Sequence, residues 1–290
     1  MSRVGACRQG QMRVLGAALL LSLHAAASAL GTCSRALRAP VAPLGLSVTA
    51  ENGQVGGIYP ELLRAVETGC RVEFSVVPRA RQQLLFDAGK ADLLVPATRT
   101  PARDEYAVFV PMVASRPVLI SQAQALHAPV RSDAELLERR ELRIAIVRGY
   151  DFGPEYRQLV DGLAAQGRLV LAADAGSVAR LLDKGMADAT LMNSTILLGA
   201  ILADARLRGL ATHLRTEPLA GLPWTEAGIY VSRRSGLSEQ ELHGFVDQLE
   251  ALSRSGRVWS AFQRRFPPGG LNDSIRARGS AKEEGGDASR

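Results

Sequence analysis

Hydrophobic and polar positions alternate between strand-like and helix-like periods along most of the chain. Apolar alternation predicts a strand at residues 37–42, and amphipathic spacing predicts a helix at 59–67 that packs on a sheet. A strand at 72–77, a helix at 79–88 and a strand from residue 90 onward follow, and a glycine ends each helix. This β-α-β-α-β order is typical of a parallel sheet with right-handed crossovers.

The same order returns in the second half of the chain. The pattern predicts a strand at 142–147, a helix at 155–165, a strand at 168–172, a helix at 177–184 and a strand at 187–192. It then predicts a helix at 195–205, strands at 211–218 and 228–232, a long helix at 238–253 and a last helix that contains Trp259. The repeated series favours two similar α/β lobes, and the Gly-, Ser- and charge-rich composition predicts disorder over residues 267–290.

Candidate ligand chemistry lies in the stretch 90–112, where a buried strand ends in a loop rich in Thr and Arg. Ligands of α/β sheets bind beyond the carboxyl ends of the strands. The hydroxyl of Thr98 and the planar guanidinium of Arg103 suit a carboxylate that accepts two hydrogen bonds. The alternative is an ordinary loop that starts the next helix, because Pro101 favours a first helical turn.

Three further side chains have both a ligand interpretation and a structural one. Arg79 and Arg81 lie in the first turn of a predicted helix, where positive charge is unfavourable, which indicates a ligand or a partner. Their alternative is a solvated surface position. Tyr59 offers a ring that stacks on a ligand or packs in the core.

Length and charge narrow the class of protein. With 290 residues, of which 47% are hydrophobic, the chain is long enough for two domains. The net charge is +6, but the arginines are scattered without a dense basic block, which argues against nucleic-acid binding. Three arginines precede an apolar run at 14–23 and the small residues Ala27, Ser28 and Ala29, a pattern that predicts a cleavable signal peptide at 1–29. We therefore expect export to the periplasm.

Cysteine positions agree with export. Cys7 leaves with the signal peptide, and Cys33 and Cys70 each lie shortly before a predicted strand. Parallel neighbouring strands bring these starts together, so we predict a Cys33–Cys70 disulfide in an oxidising compartment. The alternative interpretation takes residues 30–33 as a lipoprotein cleavage box with a lipid anchor on Cys33.

Sequence motifs of catalysis are absent. The chain has no Gly-x-Ser-x-Gly, no His-Glu-x-x-His, no phosphate-binding glycine loop and no Cys-x-x-Cys. Its four histidines lie far apart in sequence. We expect no metal and no cofactor, and a binding function in place of an enzymatic one.

The order and spacing of several motifs resemble bacterial extracellular solute-binding proteins of family 3, which serve ABC importers of polar amino acids. The matching features, spread over residues 35–266, are the helix at 57–67, Lys90-Ala91-Asp92, the segment 98–103, Phe109-Val110-Pro111, Arg148-Gly149, the segment 184–188, and Ser255-Gly256 with Trp259 and Phe266.

The resemblance implies a type II periplasmic binding protein fold, with two α/β lobes that close around a ligand on two crossover strands. The first lobe would comprise residues 30–116 and 219–266, and the second would comprise 117–218. The family's carboxylate-binding arginine corresponds to Arg103, and its hydroxyl residue corresponds to Thr98.

The second lobe departs from the family pattern. Tyr150 and Asp151 stand where amino-acid binders carry Thr or Ser, and Asn193 stands where they carry the acid that pairs with an α-ammonium group. An amide has no charge to offer an ammonium group, although Asp151 can supply one from another direction.

These features predict a monomeric periplasmic protein that captures a small polar, carboxylate-bearing solute and delivers it to a membrane ABC permease. Two alternatives stay open. One is a ligand sensor that docks on a membrane receptor, and the other is a lyase similar to cyclohexadienyl dehydratase, with Asp151 or Glu226 as its acid.

Overall fold

The structure is a computed structural model that describes residues 33–66, 69–126, 128–266, 271 and 274–279. The strands are β1 (Leu37–Val41), β2 (Thr49–Glu51), β3 (Gln54–Gly56), β4 (Val72–Val76), β5 (Leu93–Thr98), β6 (Ala107–Ser115), β7 (Val118–Gln122), β8 (Ile144–Val147), β9 (Leu169–Ala172), β10 (Ala189–Met192), β11 (Leu214–Glu217), β12 (Thr225–Ser232) and β13 (Ile275–Ala277). The helices are α1 (Ile58–Ala65), α2 (Arg79–Asp87), α3 (Pro101–Asp104), α4 (Asp133–Glu138), α5 (Pro154–Ala165), α6 (Ala175–Asp183), α7 (Ser194–Ala203), α8 (Glu239–Arg254) and α9 (Arg257–Arg265), and a 3-10 helix covers Ala205–His213. The expected signal peptide lies outside the described residues.

The strands sort into two groups, each with its own helices, which we name the first and second lobes. The first lobe contains a parallel pair, β1 and β4, and a sheet in the order β13-β6-β12-β5. The second lobe contains one sheet in the order β11-β7-β10-β8-β9, in which β10, β8 and β9 are parallel. The predicted α/β class is confirmed, with antiparallel strands added to the parallel ones.

The chain passes between the lobes at two places. Residues 116–117 connect β6 to β7, and residues 218–224 connect β11 to β12. Because β7 and β11 lie side by side and pair antiparallel, both connections lie at the same end of the second sheet.

The tail contradicts the expectation of disorder in one segment. Residues Ile275–Ala277 form β13, which pairs antiparallel with β6 from Ile275 opposite Ser115 to Ala277 opposite Val113. The composition of residues 267–290 is that of a disordered segment, but a strand this short needs only a free strand edge on which to pair. The prediction of disorder is therefore wrong for these three residues.

Hydrophobic runs and caps account for the elements. Strand β5 has five consecutive buried residues, as expected for a strand covered on both faces. Helix α8 begins at a capping box in which Ser238 and Glu241 satisfy each other's backbone amides, and its buried face includes Phe245, Val246 and Leu249. None of the described helices is long and apolar enough to cross a membrane.

The predicted disulfide is present. Cys33 and Cys70 are bonded, with their Cα atoms 4.7 Å apart, just before the paired strands β1 and β4. A lipidated Cys33 has no free sulfur for this bond, so the structure favours the disulfide over the lipid anchor.

A local repeat relates the two lobes. Gly89 and Gly185 both end a helix with positive φ, at 69° and 63°. Three residues after each glycine an aspartate follows, Asp92 in the first lobe and Asp188 in the second. The carboxylate of Asp92 accepts a hydrogen bond from the backbone amide of Arg38, and Asp188 accepts the same bond from Arg143, each at 2.7 Å. Both aspartates therefore serve the structure.

Candidate ligand-binding cleft

A cleft runs between the lobes where the carboxyl ends of strands from both lobes face each other. Its inner part is a cavity of about 60 Å³, room for a few water molecules. The lining residues are Leu44, Ser47, Tyr59, Arg79, Pro96, Ala97, Thr98, Val113, Ser115, Tyr150, Asp151, Phe152, Asn193, Thr195, Ile196, Ala227, Phe262 and Ile275. A larger opening of about 910 Å³ lies beside it and shares Arg79 and Tyr150 with the cavity.

Glycines let the two lobes approach closely along this cleft. Gly149, after β8, has φ of 81°, and a Cβ atom there would lie 2.8 Å from the backbone nitrogen of Ala80 in α2. Gly45, after β1, has φ of 54°, and its Cβ would lie 2.7 Å from the backbone oxygen of Ile196 in α7. The lobes thus meet backbone to backbone, which describes a closed cleft.

Arg79 is a buried cation in the cleft wall. It lies at the start of α2 and is 9% exposed. Its Nη1 donates hydrogen bonds to Gln82 Oε1 at 2.8 Å and to the backbone oxygen of Pro96 at 3.0 Å. Its Nε has no hydrogen-bond partner among the described residues.

Burial sets the electrostatics of Arg79. Removal from water lowers the pKa of its guanidinium to about 10, with a smaller lowering from the charge of Arg103. The group is therefore still protonated at neutral pH. A buried charge with a free N–H is costly unless an anion approaches it.

Tyr150 is a second free donor at the same place. Its hydroxyl is buried and lacks a hydrogen-bond partner among the described residues. Burial raises the pKa of this phenol, so it is a neutral donor in the physiological range. Its ring lies edge-on to Phe152, with centroids 6.0 Å apart. Arg79 and Tyr150 come from different lobes, and both line the cavity and the larger opening.

Thr98 and Asp151 connect the lobes directly. The hydroxyl of Thr98 donates a hydrogen bond to the backbone oxygen of Asp151 at 3.1 Å. The carboxylate of Asp151 accepts hydrogen bonds from Gly153 N at 3.0 Å and from Arg157 Nη1 at 2.8 Å. The carboxylate of Asp151, which the sequence offered as a partner for a ligand's ammonium group, is thus paired with Arg157 within the second lobe.

Asn193 lines the cleft with its hydrogen-bonding groups occupied. Its Oδ1 accepts from the backbone N and the hydroxyl of Thr195, at 3.0 and 2.6 Å. Its Nδ2 donates to Ser115 Oγ at 3.1 Å and to the backbone oxygen of Ser274 at 2.8 Å. Tyr59, also in the cavity wall, is 2% exposed and packs edge-on against Phe262.

The two remaining candidates lie away from the cavity. Arg103 is not among the lining residues, and its Nε donates to Asp87 Oδ1 at 3.1 Å. The turn before it is held by Tyr230, whose hydroxyl accepts a hydrogen bond from Thr100 N at 2.7 Å. Arg81 is exposed and also absent from the lining.

The side chain that takes the cleft position is Arg79, two residues before Arg81. In the sequence, both arginines give the same signal of a ligand contact, a positive charge in the first turn of a helix. Only the rotation of α2 relative to the cleft separates them.

Comparison with known proteins identifies the fold. No family model matches the chain, and no curated protein does. Among solved structures, an ancestral arginine-binding protein bound to arginine is similar at a TM-score of 0.62 and 16% identity, over 80% of this chain and 98% of that one. The arginine-, lysine-, histidine-binding protein ArtJ from Geobacillus stearothermophilus is similar at 0.63 and 15%, over 80% and 95%.

A solved structure of a sensor domain is similar to this chain to the same degree. A histidine kinase sensor domain with similarity to periplasmic binding proteins matches at a TM-score of 0.62 and 18% identity, over 79% of this chain and 95% of that one. These three are binding or sensor proteins. At such identities the likeness establishes the two-lobed fold of periplasmic binding proteins.

Proposed function

We propose that the protein is an exported, monomeric solute-binding protein that captures a small carboxylate-bearing solute between its lobes for a membrane ABC permease. The observation that carries the proposal is a pair of buried donors without a hydrogen-bond partner among the described residues, Arg79 Nε and Tyr150 OH, one from each lobe on a shared cleft. The predicted signal peptide and the Cys33–Cys70 disulfide support export.

An anion between these donors would accept a hydrogen bond from each of them. Hydrogen bonds to a charged group contribute about 1.5–3 kcal/mol each, and both bonds here would have the anion as their charged acceptor. Because the donors belong to opposite lobes, an anion that contacts both favours the closed arrangement over an open one. A permease can then distinguish the loaded protein from the empty one by shape.

The surroundings bear on the class of acid. An α-amino acid also needs a partner for its ammonium group, and the two side chains of the inner cavity that could provide one, Asp151 and Asn193, are engaged. Asp151 pairs with Arg157, and Asn193 caps α7 while it binds Ser274. We therefore propose an organic acid without an obligatory ammonium group, such as a dicarboxylate or a 2-oxo acid.

A thermal-shift panel tests this proposal. The exported chain is heated with dicarboxylates, 2-oxo acids and amino acids, each next to its neutral amide. A ligand at one hundred times its Kd stabilises the fold by about 2.7 kcal/mol, a shift of several degrees. We expect acids to stabilise and their amides to have no effect. Equal stabilisation by an acid and its amide would contradict an anion site.

Two further readouts separate the related functions. The likeness to a histidine kinase sensor domain favours a sensor as the second candidate. Uptake of the stabilising acid by intact cells should fall in a deletion strain if the protein serves an importer, and should stay unchanged if it serves a receptor. Chromatography after incubation shows whether the acid is bound intact or consumed, and consumption would mean a lyase.

A further inference from the structure

A segment near the C-terminus, residues 274–277, lies in the cleft, and we name it the strap. Three of its residues form β13 on the edge of β6. Its first residue, Ser274, is fully buried. The strap is therefore built into the interior at the place where the two lobes meet.

Ser274 bonds to both sides of the cleft. Its backbone oxygen accepts hydrogen bonds from Arg116 N at 3.0 Å, in the first connection between the lobes, and from Asn193 Nδ2 at 2.8 Å, in the second lobe. Its hydroxyl accepts a hydrogen bond from Ser194 N at 2.9 Å, the first amide of α7. One residue thus satisfies donors from both sides of the cleft, among them a helix N-terminal amide that has no partner within its own helix.

Two other strap residues strengthen this bridge. Ile275 is 5% exposed and lines the inner cavity together with Phe262 of the first lobe and Ile196 of the second. The guanidinium of Arg276 lies 4.2 Å from the ring centre of Trp224, in the second connection. Apolar burial and a cation–π contact therefore add to the hydrogen bonds.

We propose that the strap is an intramolecular occupant of the ligand cleft, which holds the two lobes closed in the absence of solute. An occupant that contacts both lobes stabilises their closed arrangement as a ligand does. Because it is tethered, its effective concentration is on the order of millimolar. Because Ile275 lies in the same inner cavity as Arg79 and Tyr150, a solute that fills this cavity competes with the strap. The apparent affinity of the solute is then its intrinsic affinity multiplied by the fraction of molecules whose cleft is free. The inference rests on the two-lobed fold and the cleft contacts, and it goes beyond the proposed function.

The test uses the full-length chain and two strap variants. Ile275→Asp places a charge in the apolar cavity, and Ser274→Pro removes both the hydroxyl that accepts from Ser194 and the amide that donates to the backbone oxygen of Leu271. Leu171→Asp is the matched control, since it changes an aliphatic residue to an acid at a position 51% exposed in the second lobe.

Two measurements are made without solute on each protein. Hydrogen exchange measures the protection of the backbone amides of Arg116 and Ser194. Double electron–electron resonance measures the distance between spin labels on cysteines introduced at positions 84 and 186, in place of Leu84 and Met186. These positions are exposed, one on each lobe.

We expect the strap variants to exchange both amides at least tenfold faster and to show a longer interlobe distance, while the control matches the wild type. Faster exchange with an unchanged distance would overturn the proposal, because the strap would then leave while the cleft stays closed. Unchanged exchange in both variants would overturn it as well, because the described contacts would then not hold the strap.

Discussion

Arg38 binds Asp92 through its backbone amide at 2.7 Å and through its guanidinium, with Nη2 2.9 Å from Asp92 Oδ1. Arg35 adds a further ion pair at 2.8 Å, and the aspartate side chain is fully buried. Burial alone would raise the pKa of Asp92, but the hydrogen bonds from Arg35 and Arg38 outweigh it and lower the pKa to about 2. This carboxylate fixes the start of β5 beside β1.

The first prediction concerns acid stability. A carboxyl whose folded pKa lies below the unfolded value of 3.8 stabilises the fold above about pH 4 and loses that contribution as pH falls towards 2. We expect Asp92→Asn to lower the free energy of unfolding by about 2 kcal/mol at pH 7 and by much less near pH 2. Urea unfolding at several pH values measures this.

Asp188→Asn is the matched control for this change. Arg143 binds Asp188 through its backbone amide and its guanidinium, as Arg38 binds Asp92, but the side chain of Asp188 is 24% exposed. At neutral pH, Asp188→Asn should lower the free energy of unfolding by less than Asp92→Asn does. A larger loss for Asp188→Asn, or an equal loss for Asp92→Asn at every pH, would contradict the assignment.

The second prediction concerns the disulfide, which closes a loop between residues 37 positions apart. The double variant Cys33→Ser with Cys70→Ser should lose about 2–4 kcal/mol of stability, because its unfolded chain is less restricted. Urea unfolding measures the loss. The intact mass of the exported wild type should be two hydrogens below that of the reduced chain, and an added acyl mass would instead support the lipid anchor.

The third prediction concerns the free hydroxyl of Tyr150. A buried hydroxyl without a partner costs about 1–3 kcal/mol, so Tyr150→Phe should leave the unliganded protein as stable as the wild type or more stable. The same change should weaken binding of the stabilising acid about tenfold, or about 1.4 kcal/mol, because a donor is lost. Calorimetric titration and thermal melting measure the two effects.

Tyr106→Phe provides the matched control with the opposite expectation. Its hydroxyl donates to Asp87 Oδ1 at 2.7 Å, so this change should reduce stability and leave affinity unchanged. If Tyr150→Phe behaved like this control, the hydroxyl of Tyr150 would serve the fold and not the solute.

The sequence predicts the architecture well because each lobe is built from short periodic segments that glycines separate. Strand and helix periods locate the elements of both β-α-β-α-β series, and the repeat of that series indicates two similar lobes. Thr98, Tyr59, Tyr150, Asp151 and Asn193 all lie in the cleft wall. Their positions follow from being at the ends of strands or at the start of a helix.

The remaining features depend on contacts between distant parts of the chain. Arg103 is turned towards Asp87 in a turn held by Tyr230, more than one hundred residues away. Helix α2 faces the cleft with Arg79 and not with Arg81, and hydrogen bonds from Arg79 and Gln82 to the backbone oxygens of Pro96 and Val95 in β5 hold this face. The strap has no periodicity of its own, since Ile275 is buried only because the edge of β6 and the cleft accept it.

We propose that Arg79, and not Arg103, anchors the anionic group of the solute. The most direct test is calorimetric titration of the wild type, Arg79→Met and Arg103→Met with the acid that gives the largest thermal shift. Both variants replace a guanidinium by a neutral side chain of similar length. We predict that Arg79→Met weakens binding at least one hundredfold, about 3 kcal/mol, while Arg103→Met changes it less than about threefold. Loss of binding in Arg103→Met with affinity kept in Arg79→Met would contradict the account.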